Sequence, residues 1–167
     1  HPRINILQPG PGVGGHCIAV DPWFIVCKTP EEAKIIHTAR KVNDAKPQWV
    51  INKVKLAIAD FLQVNPTKTA KDVIVACYGL AFKPNIDDLR ESPALKITEQ
   101  IAQLHSGRVL AIEPNINKLP EHISSFKLST FEDAKENADI HLLLVDHKEF
   151  KVTVVQNEYL IDTKGIW

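Results

Sequence analysis

The apolar and polar positions divide the chain into two stretches with different periods. From Pro47 to about Leu62, Val50, Val54, Ala57, Ile58 and Phe61 recur every three or four residues, which puts them on one stripe of a helix. Trp49, Ile51, Leu56 and Leu62 widen the stripe beyond what one packing layer covers, so the helix is expected to meet a second partner, either the rest of the chain or another subunit. A preceding helix is predicted to begin at Thr29-Pro30-Glu31-Glu32, a capping-box pattern with proline in the first turn, and to reach about Asn43, with Lys46-Pro47 as the break. Residues 1 to 9 set Ile4, Ile6 and Leu7 between prolines and read as a short extended segment.

The period changes after Asn65-Pro66-Thr67-Lys68-Thr69, a polar stretch that sets a boundary between residues 1–66 and 67–167. Asp72 to Tyr78 is an apolar run closed by Gly79, as a strand buried on both faces requires. Ser92-Pro93 caps a helix bearing Leu95, Ile97, Ile101 and Leu104, and Gly107 stands where a C-terminal glycine belongs. Arg108 to Ile112 reads as a strand, Phe131 to Asn137 as a short helix, and Asp139 to Val145 and Tyr159 to Asp162 as further strands. This alternation predicts an α/β fold: a helical segment suited to linking or dimerisation, then a Rossmann-like, doubly wound parallel sheet. Ligands of such sheets bind beyond the carboxyl ends of the strands, which nominates the loops Gly79 to Ser92, Glu113 to Asn117 and Asp146 to Lys148. The first is the longest and carries Lys83 and Arg90, suited to an anionic diphosphate, although Asp87, Asp88 and Glu91 could neutralise both as local ion pairs. Of the histidines in this half, His147 alone falls at a strand's carboxyl end.

Composition narrows the function classes. With 44% hydrophobic and 24% charged residues among 167, the chain is an ordinary globular protein long enough to bury a core. Twenty basic residues balance 20 acidic ones, with no local cluster, so a nucleic-acid partner is not expected. No apolar run approaches the roughly 20 residues of a membrane span, so a membrane partner is not expected either. Three widely spaced cysteines argue against a disulfide framework and for a reducing cytoplasm, with Cys27 and Cys77 expected in the core. The absence of methionine, at a chain starting with His1, reads as a processed or truncated piece.

The chemistry concentrates in Gly10-Pro11-Gly12-Val13-Gly14-Gly15-His16-Cys17, with Asp21 four residues beyond the cysteine. Four glycines in six positions let a ligand lie against the main chain, because no Cβ stands in the way. The ionised thiol of Cys17 then meets that ligand as a nucleophile, and Asp21 can hold or activate water. Gly10, Gly12 and Gly15 formally spell a dinucleotide fingerprint, yet that motif should open a helix after a strand and find its acid on the next strand, and Asp21-Pro22 comes too early. His16, Cys17, Asp21 and Cys27 lack the paired spacing of metal ligands, so no metal is expected. An inert buried cysteine in a glycine loop would need neither the carboxylate nor the glycines.

The segment from His1-Pro2-Arg3 through GPGVGGHCIAVDPWF resembles the active-site region of the UDP-glucose/GDP-mannose dehydrogenase family. The resemblance continues through Ala39-Arg40-Lys41-Val42-Asn43-Asp44, Gly79-Leu80-Ala81-Phe82-Lys83-Pro84-Asn85, Asp87-Asp88-Leu89-Arg90-Glu91-Ser92-Pro93 and Asp162-Thr163-Lys164-Gly165, so it covers essentially the whole chain in the family's order. It implies an NAD-dependent, four-electron oxidation of a UDP-sugar at C6, in which Cys17 adds to the aldehyde as a thiohemiacetal and later carries a thioester that water, positioned by Asp21, cleaves. The AVDPWF tail favours the branch acting on UDP-N-acetyl-D-mannosamine, with UDP-N-acetylglucosamine and UDP-glucose as alternative substrates. The resemblance further implies a homodimer, substrate contacts from Gly12, Gly14, Gly15, His16, Lys83 and Arg90, and an Arg3 lent to the partner subunit's pocket. It implies as well that the N-terminal NAD-binding domain is missing. A piece of this kind is expected to bind UDP-sugars and dimerise without turnover.

Overall fold

The computed structural model describes residues 8–167. Residues 1–7 of the expected extended segment, Arg3 among them, lie outside these. A short helix, α1 (Asp21–Lys28), leads into a long one, α2 (Lys34–Val64). An α/β unit follows: β1 (Val75–Tyr78), α3 (Pro93–Leu104), β2 (Val109–Ile112), β3 (Lys127–Leu128), α4 (Phe131–Asn137), β4 (Ile140–Leu143), α5 (Lys148–Lys151) and β5 (Leu160–Asp162). The five strands are all parallel in the order β3-β2-β1-β4-β5, with β1 central, so the direction of winding reverses at β1. The doubly wound sheet is as expected.

Both faces of the sheet are covered, which is why the strands read as unbroken apolar runs. Strand residues of one parity, Val75, Cys77, Val109, Ala111, Ile140 and Leu142, pack with Ile97 and Ile101 of α3 and with Val50, Ile51, Val54 and Phe61 of α2. The other parity, Ala76, Tyr78, Leu110, Ile112 and Leu143, packs with Ala134, Phe150 and Val155. Tyr78 is fully buried there, its ring 4.9 Å from that of Trp167 and its hydroxyl 2.8 Å from His141 Nδ1. Ser92 caps α3 as predicted, its Oγ accepting from Leu95 N at 3.2 Å while donating to Leu80 O at 2.6 Å.

Several boundaries differ from the sequence reading. Asp21-Pro22 opens α1, where only an apolar patch was expected, and Thr29 ends that helix, its Oγ1 donating to Ile25 O at 3.1 Å. The predicted capping box is therefore a C-terminal turn, and α2 starts at Lys34. Nor does Pro47 break the helix. It removes one backbone donor at a cost of up to about 3 kcal/mol, and burial of Val50, Ile51, Val54 and Phe61 in the next turns offsets that loss. Cys77 is buried as expected, but Cys27 is exposed on α1. Of the residues thought to widen the stripe, Ile51 is buried, whereas Trp49 and Leu56 are 47% and 59% exposed. Gly107 is no helix cap: α3 ends at Leu104, and a Cβ at Gly107 would collide with Val73 O and stand 2.7 Å from Ala70 O. The two-residue β3 and four-residue α5 carried too few positions for a period to register.

Candidate functional site

The glycine loop lies against its own chain. Val13 N donates to Asn43 Oδ1 at 2.9 Å, tying the loop to α2 one turn before Pro47. Because Pro47 has no N–H, the Asn43 carbonyl lacks its helical donor, and this defect in α2 faces Gly12, whose ideal Cβ would lie 3.7 Å from it. Gly12 and Gly15 have φ of 135° and 87°, open to glycine at no steric cost. A Cβ at Gly14 would strike the Glu91 carbonyl and stand 2.7 Å from Pro93 Cδ, and one at Gly15 would stand 2.9 Å from the Phe82 ring. Three of the four glycines therefore admit close approach by residues 82–93 of the α/β unit and by α2. His16 and Cys17 follow on the exposed side. The Cys17 carbonyl accepts from Val20 N at 3.0 Å and from Asp21 N at 2.8 Å, a turn that places Cys17 and Asp21 one helical step apart at the start of α1.

Opposite the loop stand residues 79–92, the longest of the nominated loops. Arg90 forks onto Asp88, with Nε 3.0 Å from both carboxylate oxygens and Nη2 2.6 Å from Oδ2. Hydrogen bonds from Arg90 are the main reason the Asp88 carboxyl is held down at about 2. Those same bonds raise the Arg90 guanidinium, with a smaller contribution from Cys17, so the sulfur lies within electrostatic reach of that cation. Lys83 is exposed and forms no ion pair among the described residues. It borders a cleft of about 300 Å³ that Gly12, Gly14, Ile18, Asp146 and Lys164 also line.

Lys164 was not foreseen as a site residue, and the C-terminal motif explains its position. The Asp162 carboxylate accepts the backbone N–H groups of Lys164, Gly165, Ile166 and Trp167 at 2.7, 2.7, 2.7 and 2.9 Å, wrapping the chain around itself. Lys164 Nζ thereby comes 3.4 Å from Asp146 Oδ1 and beside Gly10, so two lysines from different strand ends flank one cleft. Burial works to raise the Asp146 carboxyl, but Lys164 and Lys151 outweigh it and hold it below the ordinary range.

Behind the cleft the three nominated loops are joined by a buried network. Glu113, at the end of β2, accepts from Leu80 N at 2.7 Å and Ala81 N at 3.0 Å, the turn after β1. Its other oxygen accepts from Asn115 N at 3.0 Å. His147 Nε2 lies 3.1 Å from Glu113 Oε2, and His147 Nδ1 accepts from Asn85 N at 2.9 Å. Burial alone would raise the Glu113 carboxyl, yet the hydrogen bonds from His147 and Leu80 bring it below its usual value. Sequence placed His147 at a strand end and nominated the loops that hold Glu113 and Asn85, but gave no sign that the three join in one network, because the partners of Glu113 and Asn85 lie 33 and 62 residues away.

Gly12, Gly14 and Gly15 thus dock the cysteine-bearing loop against residues 82–93 and α2, beside the cleft that Lys83 borders at the switch point of a Rossmann-like sheet. The chain belongs to the UDP-glucose/GDP-mannose dehydrogenase family: the family's UDP binding domain matches residues 76–167, and its central domain matches residues 1–45. It is 57% identical over its full length to UDP-N-acetyl-D-mannosamine dehydrogenase of Escherichia coli (strain K12), and it covers 40% of that protein. It is 52% identical to NDP-N-acetyl-D-galactosaminuronic acid dehydrogenase of Ralstonia nicotianae, covering 38% of it. Among solved structures, the UDP-D-ManNAc dehydrogenase of Pyrococcus horikoshii superposes on the whole chain with a TM-score of 0.75 at 31% identity, the match taking in 38% of that chain. The chain thus spans about two fifths of the length of the curated relatives it matches.

Proposed function

We propose that this chain is the catalytic-cysteine and UDP-binding part of an NAD-dependent UDP-sugar 6-dehydrogenase, with UDP-N-acetyl-D-mannosamine as substrate. The observation that carries the reading is the cleft between Lys83 and Lys164, which abuts the glycine loop bearing Cys17. A diphosphate between two lysines would direct the sugar toward the thiol, and the names of the relatives favour an N-acetylated hexosamine over UDP-glucose. We take the functional boundary to lie at residues 66/67, assign Arg3 and His16 to the sugar end of the pocket, and place the protein in the cytoplasm.

Two steps fall to residues of this chain. Cys17 adds as thiolate to the C6 aldehyde, and the carbonyl oxygen takes up the proton. Water held by Asp21 later cleaves the Cys17 thioester, releasing the carboxylate and regenerating the thiol, while N–H groups of the glycine loop steady the oxyanion. The oxidation between them requires NAD, and these residues do not fit a dinucleotide. The turn after β1, where a Rossmann unit would cradle phosphate, has its N–H groups committed to Glu113. By itself, then, the chain is a UDP-sugar-binding and dimerising module without turnover, and the exposed Trp49 and Leu56 of α2 supply the apolar contact for a homodimer.

Calorimetric titration of the chain tests the assignment. UDP and UDP-N-acetyl-D-mannosamine are expected to bind and NAD to give no heat of binding. Binding of NAD with no response to UDP would overturn the assignment of the α/β unit. A chain that sediments as a monomer at every concentration would remove the dimer.

A further inference from the structure

We propose that His147, braced by Glu113, is the positioning residue that holds the Lys83 loop in its ligand-ready shape, an inference that rests on the reading of Lys83 as a diphosphate contact. Asn85, two residues after Lys83, sits at φ 62°, in the left-handed region. Such a residue stays there only when its surroundings hold it, even though asparagine tolerates the region better than most. Here it is held from both sides: its N–H donates to His147 Nδ1 at 2.9 Å, and its Oδ1 accepts from Lys148 N at 2.9 Å. The loop's other end is pinned through Leu80 and Ala81 to Glu113, the residue that faces His147 Nε2. The intervening Phe82-Lys83-Pro84 is thus suspended between two points of one buried dyad.

The hydrogen-bond pattern fixes the imidazole's chemistry. Nδ1 accepts a backbone N–H, so it carries no proton, and the ring proton is on Nε2, donated to the Glu113 carboxylate. Neither heteroatom is left to touch a ligand, and the ring is fully buried against Phe150, 5.6 Å between centroids. His147 therefore acts through Lys83. A smaller side chain would release the Asn85 amide, and the loop would then have to be ordered at the expense of binding.

The experiment uses this chain and its variants His147→Ala and His147→Asn, the latter keeping an acceptor near the Nδ1 position. Three readouts are taken: the imidazole tautomer by nitrogen NMR, hydrogen exchange of the Leu80, Ala81 and Asn85 amides without ligand, and affinities for UDP and uridine. We expect the Nε2–H tautomer, faster Asn85 exchange in His147→Ala that His147→Asn restores, and a UDP affinity about tenfold weaker in the alanine variant with uridine unchanged. A proton on Nδ1, or Asn85 exchange and UDP affinity both unaltered in His147→Ala, would overturn the proposal. So would UDP affinity that holds while exchange rises, because the loop's order would then not matter to the ligand. If His147→Ala does not fold, the tautomer and His147→Asn decide. Wild-type protein that ignores UDP yet gives the expected tautomer and exchange would sink the reading of Lys83 while leaving His147 as the loop's clamp.

Discussion

Replacing Gly14 by alanine tests whether the glycine loop is shaped by its own chain. The new Cβ would collide with the Glu91 carbonyl and lie 2.7 Å from Pro93 Cδ and 3.0 Å from Phe82 Cβ. None of these can yield cheaply. Glu91 is already at φ 49°, Pro93 begins α3, and Ser92 between them bonds both Leu80 and Leu95. Overpacking against rigid neighbours costs about 1–3 kcal/mol, and we expect the upper end. Two other glycines serve as controls. At Gly10 the nearest atom is the flexible end of Lys164 at 3.2 Å, so alanine should cost under about 0.5 kcal/mol. Gly165 has nothing within 4 Å but a φ of 71°, so alanine there meets backbone strain alone, about 1 kcal/mol. Urea unfolding followed by tryptophan fluorescence should rank the losses Gly14, Gly165, Gly10. A Gly14→Ala protein within 0.5 kcal/mol of the parent, or three equal losses, would refute the docking argument.

Pro47→Ala restores a donor for the Asn43 carbonyl and should raise stability by about 1 kcal/mol; a loss in the same unfolding assay would mean that the proline ring is needed where the glycine loop docks. Asp162→Ala strips an acceptor from four backbone N–H groups, of which that of Gly165 is exposed to water and the other three are part-buried, and should cost about 2–3 kcal/mol with a changed Trp167 emission; unaltered stability would show that the terminal wrap does not contribute. Glu113 is held below its ordinary value, so its contribution is complete above the unfolded carboxylate pKa and fades as pH falls through the lower folded value. The stability gap between parent and Glu113→Gln should therefore narrow from pH 7 toward about pH 3, and a gap that stays constant would contradict the assignment. In the complete enzyme, Cys17→Ser should abolish carboxylate formation, as measured by product analysis, because an alcohol is a far weaker nucleophile near neutral pH; undiminished turnover would exclude Cys17.

What could be read from the sequence follows the range of the interactions. Strands β1, β2 and β4 were legible because burial on both faces leaves an apolar run, and α3 was legible because Ser92-Pro93 is a local signal that the structure uses as written. Thr29-Pro30-Glu31-Glu32 misled because the same letters can close one helix as well as open another, and burial of the Val50 to Phe61 stripe kept α2 whole through Pro47. The glycines were noticed, but as room for a ligand. The atoms that require them at Gly14 and Gly15, Glu91 O and the Phe82 ring, come from more than 60 residues away, and no local pattern announces such neighbours. Lys164 and Glu113 escaped for the same reason: each owes its place to a turn or a strand end elsewhere in the fold.

Glu113 shows how the α/β unit keeps the Rossmann wiring while changing its use. In a dinucleotide site the turn after the first strand offers free N–H groups to a pyrophosphate, and an acid near the end of the second strand faces outward to a ribose. Here the acid at the end of β2 turns inward and takes those N–H groups itself, at 2.7 and 3.0 Å, with His147 behind it. A phosphate entering that turn would meet a buried carboxylate held in its ionised form, and displacing it would leave a charge without its partners in the interior. The cations available to an anion are accordingly displaced from the turn to its rim, to Lys83 and Lys164, on the side where the glycine loop is docked. Filling the turn and presenting lysines beside the glycine loop are thus two consequences of one arrangement, because the Glu113–His147 pair that fills the turn also holds the loop that carries Lys83.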